Sequence, residues 1–315
     1  MPGTFNAGRF RRKLLRWYGK HRRDLPWRRT RDAYCIWVSE VMLQQTRVTV
    51  VLERYAQFLR RFPTIKKLAR ARLADVLAAW SGLGYYRRAR ALHRAVRVVM
   101  TDYMGVVPRR AADLRGLPGI GRYTAAAIAS IAFDEPVAVV DGNVERVFAR
   151  LYGSPPSDPW GLAAELIDRN HPGDFNQAMM ELGATVCLPR QPLCGECPVR
   201  DFCVARGKLR SGERQRRHKR QTNYGLRRLG DRIYLVQRSA QASLMPEMWE
   251  LPELEHPAEQ EPLLKLRHAI TNTDYEVRVY AIATLPNHKR ARWVPLRSVE
   301  RLPLTGLTRK ILRRL

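Results

Sequence analysis

The chain is short of acid, of long apolar runs and of cysteine. Asp and Glu number 29 against 57 Lys and Arg, a formal charge of +28 over 315 residues. Such a surplus speaks against a cationic partner and for a polyanion, with nucleic acid first and an anionic membrane surface second. No apolar stretch reaches 18 residues, so a membrane-spanning helix is not expected. The opening "MPGTFNAGRFRRKLLRW" has no apolar segment ahead of its charges, and the expectation is a soluble, unexported protein. Only five cysteines are present, too few and too unevenly spread for a disulfide framework. Cys35 stands alone, whereas Cys187, Cys194, Cys197 and Cys203 crowd together, the usage expected of a metal centre.

What is present divides in two. From Tyr34 to about Met100, "YCIWVSEVMLQQ", "VLERYAQFLRRF", "LADVLAAWSGLG" and "ARALHRAVRVVM" repeat apolar residues every three or four positions, which predicts helices. "RAADLRGL", "RYTAAAIASIAF", "VERVFARLY" and "WGLAAELIDRN" continue the pattern, so the first 206 residues read as almost wholly α. The basic stretch "RSGERQRRHKRQ" reads as a linker, and beyond about Asn223 come short β-rich runs, "RIYLVQR", "YEVRVYAIATL" and "RWVPL", with a closing helix near Thr308 to Leu315. Length and texture together predict two domains, a helical one and a smaller α+β one.

Four constellations could carry chemistry. In "LPGIGRYTAAAI", Pro118 stops a short helix and Gly119 and Gly121 permit backbone angles other residues resist, giving a hairpin between two helices. Its N–H groups at the next helix's start suit an anion such as a DNA phosphate. An ordinary tight connection is the plainer reading, and the basic surplus weighs against it. The cysteine spacing C-x6-C-x2-C-x5-C fits zinc or an iron–sulfur cluster, and its single CxxC pair tilts toward the latter. Glu40, on a helical face with Ile36, Trp37, Leu43 and Gln44, is either a desolvated general acid or a core-edge glutamate paired with an arginine. Asp141, ahead of "GNVERVFARL", is either a plain helix N-cap or a carboxylate held ready to face a positive sugar.

In order along the chain, "LPWR", "VSEVMLQQTRV", "GLGYYRRARALH", "LPGIGRYTAAAIASIAF", "VDGNVERV", "FNQAMMELGATVC" and the cysteine cluster resemble the helix-hairpin-helix DNA glycosylases that carry a 4Fe–4S cluster, and among them the adenine-specific MutY family. The resemblance implies a six-helix barrel lobe at residues 30–135 and a cluster lobe from residues 1–29 and 136–206. A linker at 207–222 and a Nudix-like 8-oxoguanine recognition domain at 223–315 would follow. It further implies one 4Fe–4S cluster on the four cysteines, and a double-stranded DNA partner bearing A opposite 8-oxoguanine or G. A monomer in the cytoplasm, at the bacterial nucleoid, is the expected state. Glu40 matches the family's glutamate that protonates adenine N7 and then helps activate water; Asp141 matches the aspartate that stabilises the oxocarbenium ion, with Asn143 beside it. Arg23, Trp27, Leu43 and Gln177 match the adenine pocket, and Arg28, Gln45, Thr46, Leu83 and Tyr85 match positions that wedge the duplex and contact the opposing base. Gly119, Ile120 and Gly121 match the phosphate-binding hairpin.

Two departures sharpen the expectation. Tyr123 occupies the place where the similar endonuclease III carries a lysine nucleophile, so base removal without strand cleavage is expected, and Glu145 replaces a lysine that some MutY proteins carry, so even incidental trapping by borohydride should be weak. In the tail, "RIYLVQR", "MPEMWELPEL", "WVPL" and "LTRKIL" resemble the MutY C-terminal domain, and no Nudix box is present, so nucleotide hydrolysis is not expected. The family's H-x-F-S-H loop reads "HAITN": Thr271 can replace the serine hydroxyl, while Ile270 and Asn272 depart from the phenylalanine and histidine. The rival readings are a thymine-mismatch glycosylase of the same superfamily, which can also carry tyrosine at the hairpin, and a non-catalytic DNA-scanning protein.

Overall fold

A computed structural model describes residues 5–206, 218–270, 272–286, 288 and 290–315. Among the described residues eleven α-helices come first: α1 (Ala7–His21), α2 (Ala33–Leu43), α3 (Val48–Arg61), α4 (Ile65–Arg70), α5 (Leu73–Ala79), α6 (Arg87–Asp102), α7 (Ala111–Leu114), α8 (Arg122–Phe133), α9 (Gly142–Tyr152), α10 (Pro159–Leu166) and α11 (Pro172–Thr185). Then come β1 (His218–Leu226), β2 (Arg228–Leu229), β3 (Arg232–Gln237), β4 (Trp249–Glu250), β5 (Glu253–Leu254), β6 (Leu264–Ile270), β7 (Thr273–Ala281), β8 (Ala291–Pro295), α12 (Leu296–Val299) and α13 (Gly306–Leu312). Among the described residues no helix is long and apolar enough to cross a membrane. Two compact units result, one from the described residues within Met1–Ala69 and Arg94–Glu213, the other from those within Arg70–His93 and Arg214–Leu315.

The first unit is helical because its helices are capped and its apolar stripes face one another. Asn6, Asp32, Asp141 and Asp158 each accept backbone N–H bonds at the starts of α1, α2, α9 and α10, a contribution of about 1 kcal/mol apiece. Phe10, Leu14 and Tyr18 of α1 pack with Val144, Val147, Phe148 and Leu151 of α9 and with Phe175, Met179 and Leu182 of α11; Cys187, Cys197 and Cys203 lie against this core. Helices α2 and α8 are buried almost all round, from Ile36 to Met42 and from Thr124 to Ile131, and they pack on each other. The alanines 125–127 of α8 keep that approach close, which sets Glu40 of α2 against the start of α8. Helix α11 is drawn equally close to its neighbours. A Cβ on Gly173 would stand 2.6 Å from the Ser130 carbonyl, and one on Gly183 2.6 Å from Asn143 Cβ.

The second unit holds a mixed sheet, β5-β1-β7-β6, in which β1 and β7 run parallel and the other pairings are antiparallel. A second sheet joins β2, β3 and β4, with β8 paired to β3. Tyr224, Ile233, Leu235, Val277, Val279 and Val294 form its core with Leu307 and Ile311 of α13. Two expectations are corrected by this unit. Strand β1 begins at His218, inside the basic stretch read as linker, because its first four exposed residues pair along β7. His268, Ala269 and Ile270 of the motif read as a loop are the end of β6, in register with Tyr275, Asp274 and Thr273; Thr271 lies outside the described residues.

Candidate active site

Three elements meet at Glu40. The side chain leaves the middle of α2 and is 5% exposed. Tyr123, on the first turn of α8, donates its hydroxyl to Glu40 Oε2 at 3.0 Å and lies 3.2 Å from Met180 Sδ. Burial pushes the Glu40 carboxyl up to about 7, the Tyr123 hydrogen bond opposes this, the negative charge of Asp141 adds to it, and the Arg28 guanidinium subtracts. The same burial, together with Glu40 and Asp141, holds the Tyr123 phenol well above its ordinary value, so it remains a donor.

Asp141 is the N-cap of α9 and an acceptor three times over. Asn143 N and Val144 N donate to Oδ1 at 2.9 and 2.8 Å, and Asn143 Nδ2 donates to Oδ2 at 2.8 Å. Asn143 is fixed in turn, because Arg146 Nη2 donates to its Oδ1 and to the Gly183 carbonyl at 2.8 Å each, while Arg146 Nε donates to the Cys187 carbonyl at 3.0 Å. Sequence reasoning missed Arg146; its signal was an arginine at i+3 from Asn143, on the same helical face.

The positions expected in the adenine pocket are anchored unequally. Arg23 and Arg28 both converge on a residue the sequence reading did not single out, Glu181 of α11, which is fully buried. Burial alone would raise that carboxyl, but the hydrogen bonds from Arg23 and Arg28 outweigh it and hold it down at about 2. The available signal was a lone acid in the apolar run "AMMELGA". Trp27 is buried, edge-on to Tyr55 with ring centroids 5.4 Å apart. Leu43 and Gln177 are half-buried, at the end of α2 and on α11.

The hairpin joins α7 to α8 as expected, with one correction. Gly119 has φ +78°, the left-handed region that favours glycine. Gly121, by contrast, is extended at φ −86°, which any residue adopts. Among the described residues, nothing beyond its chain neighbours and its own helix backbone lies within 4 Å of a Cβ on Gly121, so the small residue leaves open space at the start of α8. Ile120 is buried, and Arg122 covers the Trp160 ring with 4.0 Å from guanidinium carbon to centroid.

Backbone strain coincides with two expected wedge positions. Gln45, exposed after α2, and Tyr85 have φ of +55° and +46°, a conformation that costs a non-glycine residue of order 1–3 kcal/mol and that clusters at ligand clamps. Thr46, next to Gln45, is half-buried and donates to the Gln44 carbonyl at 3.4 Å. In the second unit, Arg88 Nη2 donates to the carbonyls of Leu83 and Gly84 at 3.0 and 3.1 Å, and its guanidinium covers the rings of Trp80 and Tyr85. Leu83 itself is buried. The Gly82–Tyr86 loop lines a cavity of about 480 Å³ with Leu244, Met245, His268 and Ile270.

Three of the four clustered thiols, Cys187, Cys197 and Cys203, stand at the edge of the α1, α9 and α11 core. Arg150 Nη1 donates to Cys187 Sγ at 3.3 Å and to the Leu188 carbonyl at 2.6 Å, Nη2 reaches the Pro189 carbonyl at 2.8 Å, and Arg206 N donates to Cys203 Sγ at 3.3 Å. No group of three or more His, Cys, Asp or Glu side chains among the described residues gathers tightly enough for a single metal ion. An all-thiol set with N–H donors on two of its sulfurs suits an iron–sulfur cluster.

Comparison with known proteins agrees. Residues 38–169 match the model of the HhH-GPD superfamily base excision DNA repair proteins, and residues 187–203 match the iron–sulfur binding domain of endonuclease III. The human adenine DNA glycosylase is 51% identical over 217 residues, 64% of this chain and 40% of that protein. The adenine DNA glycosylase of Buchnera aphidicola from Acyrthosiphon pisum is 38% identical over 205 residues, 62% of this chain and 59% of that one. The chain thus spans about half the length of the relatives it matches. Among solved structures, a thermostable thymine-DNA glycosylase superposes with a TM-score of 0.60 at 32% identity, covering 64% of this chain and 97% of its own. The endonuclease III of a non-covalent DNA complex gives a TM-score of 0.57 at 22% identity over 65% and 98%, a likeness of fold.

Proposed function

Because the chain belongs to the HhH-GPD superfamily of base excision DNA repair proteins, we propose that it is a monofunctional adenine DNA glycosylase, hydrolysing adenine from A opposite 8-oxoguanine or G. One observation carries the reading: a carboxyl buried in α2 and hydrogen-bonded by a tyrosine at the head of the hairpin's second helix, brought to about 7 by burial with the charge of Asp141 adding to it.

At about 7, Glu40 is protonated often enough to give its proton to N7 of a flipped adenine, and basic enough afterwards to take one from water. As the base leaves neutral, positive charge builds on the sugar, and Asp141, held as an acceptor by three donors, is the carboxylate that faces it. Tyr123 is a phenol where a lyase would place an amine, so no Schiff base with the sugar forms and the strand stays intact. Extruding a base costs a few kcal/mol, least at a mispair; Gln45, Thr46, Leu83 and Tyr85 are the residues assigned to that separation, and Gly119, Ile120 and Gly121 to the adjacent phosphate. Cys187, Cys194, Cys197 and Cys203 would hold one 4Fe–4S cluster, which would supply a rigid, charged support for the lobe. The sheets of the second unit are read as a Nudix-like domain whose 480 Å³ cavity, rimmed by Tyr85 and Ile270, receives the oxidised guanine. Double-stranded DNA is the partner of a monomeric protein, and the charge of +28 supports that assignment.

A cleavage assay on duplexes carrying A:8-oxoG, A:G and T:G tests the reading. Adenine release from the first two, lost in Glu40→Gln, is expected; preferred thymine release would overturn it in favour of the reading suggested by the 32% identical thymine-DNA glycosylase. Purified protein should hold four iron and four sulfide with a broad visible band, and colourless protein rich in zinc would refute the cluster.

A further inference from the structure

The turn from Met245 to Met248, which leads into β4, is strained at two places. Met245 and Glu247 have φ of +48° and +59°, the left-handed region that glycine adopts freely and a side chain resists. The turn is nevertheless tied to the end of β3: Glu247 N donates to the Arg238 carbonyl at 3.2 Å, Gln237 Nε2 to the Glu247 carbonyl at 3.0 Å, and Arg238 Nε to the Leu244 carbonyl at 2.9 Å. Glycine at 247 would fit this backbone with less strain. What glycine would lack is a carboxylate, and here the carboxylate has a partner from far away in the chain. Arg90, on the first turn of α6, donates from Nη1 to Glu247 Oε2 at 2.8 Å and from Nη2 to the Pro246 carbonyl at 2.7 Å.

That pair joins two linings of one cavity. Residues 82–87 and Arg90 line the space of about 480 Å³ from one stretch of chain, and residues 243–246 and 268–270 from others. Arg90 and Pro246 both face it and are bonded to each other. The first stretch is held to the C-terminal half a second time, because the buried Tyr86 donates its hydroxyl to the Leu304 carbonyl at 3.1 Å. Between the two ties stands Tyr85, in the left-handed region at φ +46° and therefore dependent on its surroundings to stay there.

We propose that Glu247 is a positioning residue for the choice of opposing base: bonded to Arg90, its carboxylate ties the loop that carries Tyr85 to the 243–247 turn and so fixes the span of the cavity they share. The proposal rests on the reading of that cavity as the seat of the oxidised guanine, and adds what holds its linings together. Guanine and 8-oxoguanine differ by one oxygen at C8 and one hydrogen at N7. A lining free to relax accommodates both, whereas one held in place makes the mismatched polar group go unpaired.

The test uses the full chain with Glu247→Gly, Glu247→Gln, Arg90→Gln and the double variant Arg90→Gln with Glu247→Gly. Three quantities are read: the ratio of single-turnover adenine release from A:8-oxoG and A:G duplexes, the thermal midpoint, and hydrogen exchange of the Leu83 and Arg88 amides, which donate to the Trp80 and Tyr85 carbonyls. The Glu247 side chain is 41% exposed and that of Arg90 17%, so water screens the pair in part. Glu247→Gly should lower the ratio, and speed exchange of both amides, by about fivefold. Its thermal midpoint should not fall, because relief of backbone strain offsets the lost pair. Glu247→Gln, with the strained turn kept and the charge removed, should lower the ratio by less. Arg90→Gln should lower it at least as far as Glu247→Gly, and the double variant no further than Arg90→Gln, since one tie is cut in each. A ratio unchanged in Glu247→Gly, release slowed equally on the two duplexes, or losses that multiply in the double variant would overturn the proposal. Should Glu247→Gly fail to fold, an unchanged ratio in Glu247→Gln overturns it. If the wild type prefers neither duplex, the reading of the cavity is what has failed, and unchanged exchange at Leu83 and Arg88 in Glu247→Gly would still overturn the tie.

Discussion

Replacing Tyr123 by Phe removes a single hydrogen bond and leaves the ring in place. In the wild type the phenol donates to Glu40 Oε2 at 3.0 Å and opposes the effect of burial on that carboxyl, which settles at about 7. A hydrogen bond to a charged group contributes about 1.5–3 kcal/mol, and one pKa unit corresponds to about 1.4 kcal/mol. The protonated carboxyl keeps part of the bond, so the difference between the two forms is nearer the lower figure, and Glu40 should rise by about one unit. Single-turnover adenine release measured across the pH range should therefore show its alkaline limb near pH 8 in the variant. At pH 8 the protonated fraction would then grow from about a tenth to about a half, so the variant should release adenine roughly fivefold faster there and no faster at pH 6. Any loss of alignment lowers the plateau without moving the midpoint, which keeps the two effects apart. A limb that stays in place, or moves to lower pH, refutes the assignment of Glu40 as the acid and Tyr123 as the donor that tunes it.

Further outcomes follow from the same geometry. Glu40 has a folded value of about 7 against an ordinary 4.5, so the folded state binds the extra proton between those limits; its contribution to stability is complete below about 4.5 and lost as pH rises through about 7. Glu40→Gln should accordingly be more stable than the wild type at pH 8, by up to about 3 kcal/mol, and no different at pH 4; equal denaturation curves at pH 8 would contradict the burial argument. Gly183→Ala places a Cβ 2.6 Å from Asn143 Cβ and 3.0 Å from its carbonyl, an overpacking of about 1–3 kcal/mol that also displaces the carbonyl accepting from Arg146, so adenine release should fall further than duplex affinity. Equal losses in the two would show that Asn143 and Asp141 are not what moves. Borohydride should trap at most a weak covalent DNA adduct with the wild type, and a stoichiometric adduct would overturn the monofunctional reading.

Much of the site was legible because its residues punctuate the backbone. Pro118 and Gly119 mark a hairpin in any context, Asp141 caps a helix from its own position, and four thiols within 17 residues are conspicuous. The helix bearing Glu40 was legible too, although α2 is buried on every side rather than along one stripe. What escaped were residues that act across the fold. Glu181 reads as a stray acid until Arg23 and Arg28 arrive from more than 150 positions away, and Arg88 reads as one more positive charge in a basic helix until its guanidinium is seen holding Leu83 and Gly84. Strand β1 was hidden by its exposed, basic start, because a strand's hydrogen bonds come from its partner and leave no periodic mark on residues that face water.

By itself the sequence determined the local events: where helices start and stop, which thiols stand together, which carboxylates sit in apolar surroundings, and that a phenol occupies the head of the hairpin's second helix. Only the tertiary structure decided what those carboxylates are. Burial of α2 against α8, the charge of Asp141 at the head of α9 and the Arg28 guanidinium bring Glu40 to about 7, while Arg23 and Arg28 hold Glu181 at about 2. The reason is that a proton's affinity depends on the charge and water within a few ångströms, and in this protein those neighbours come from segments well separated along the chain.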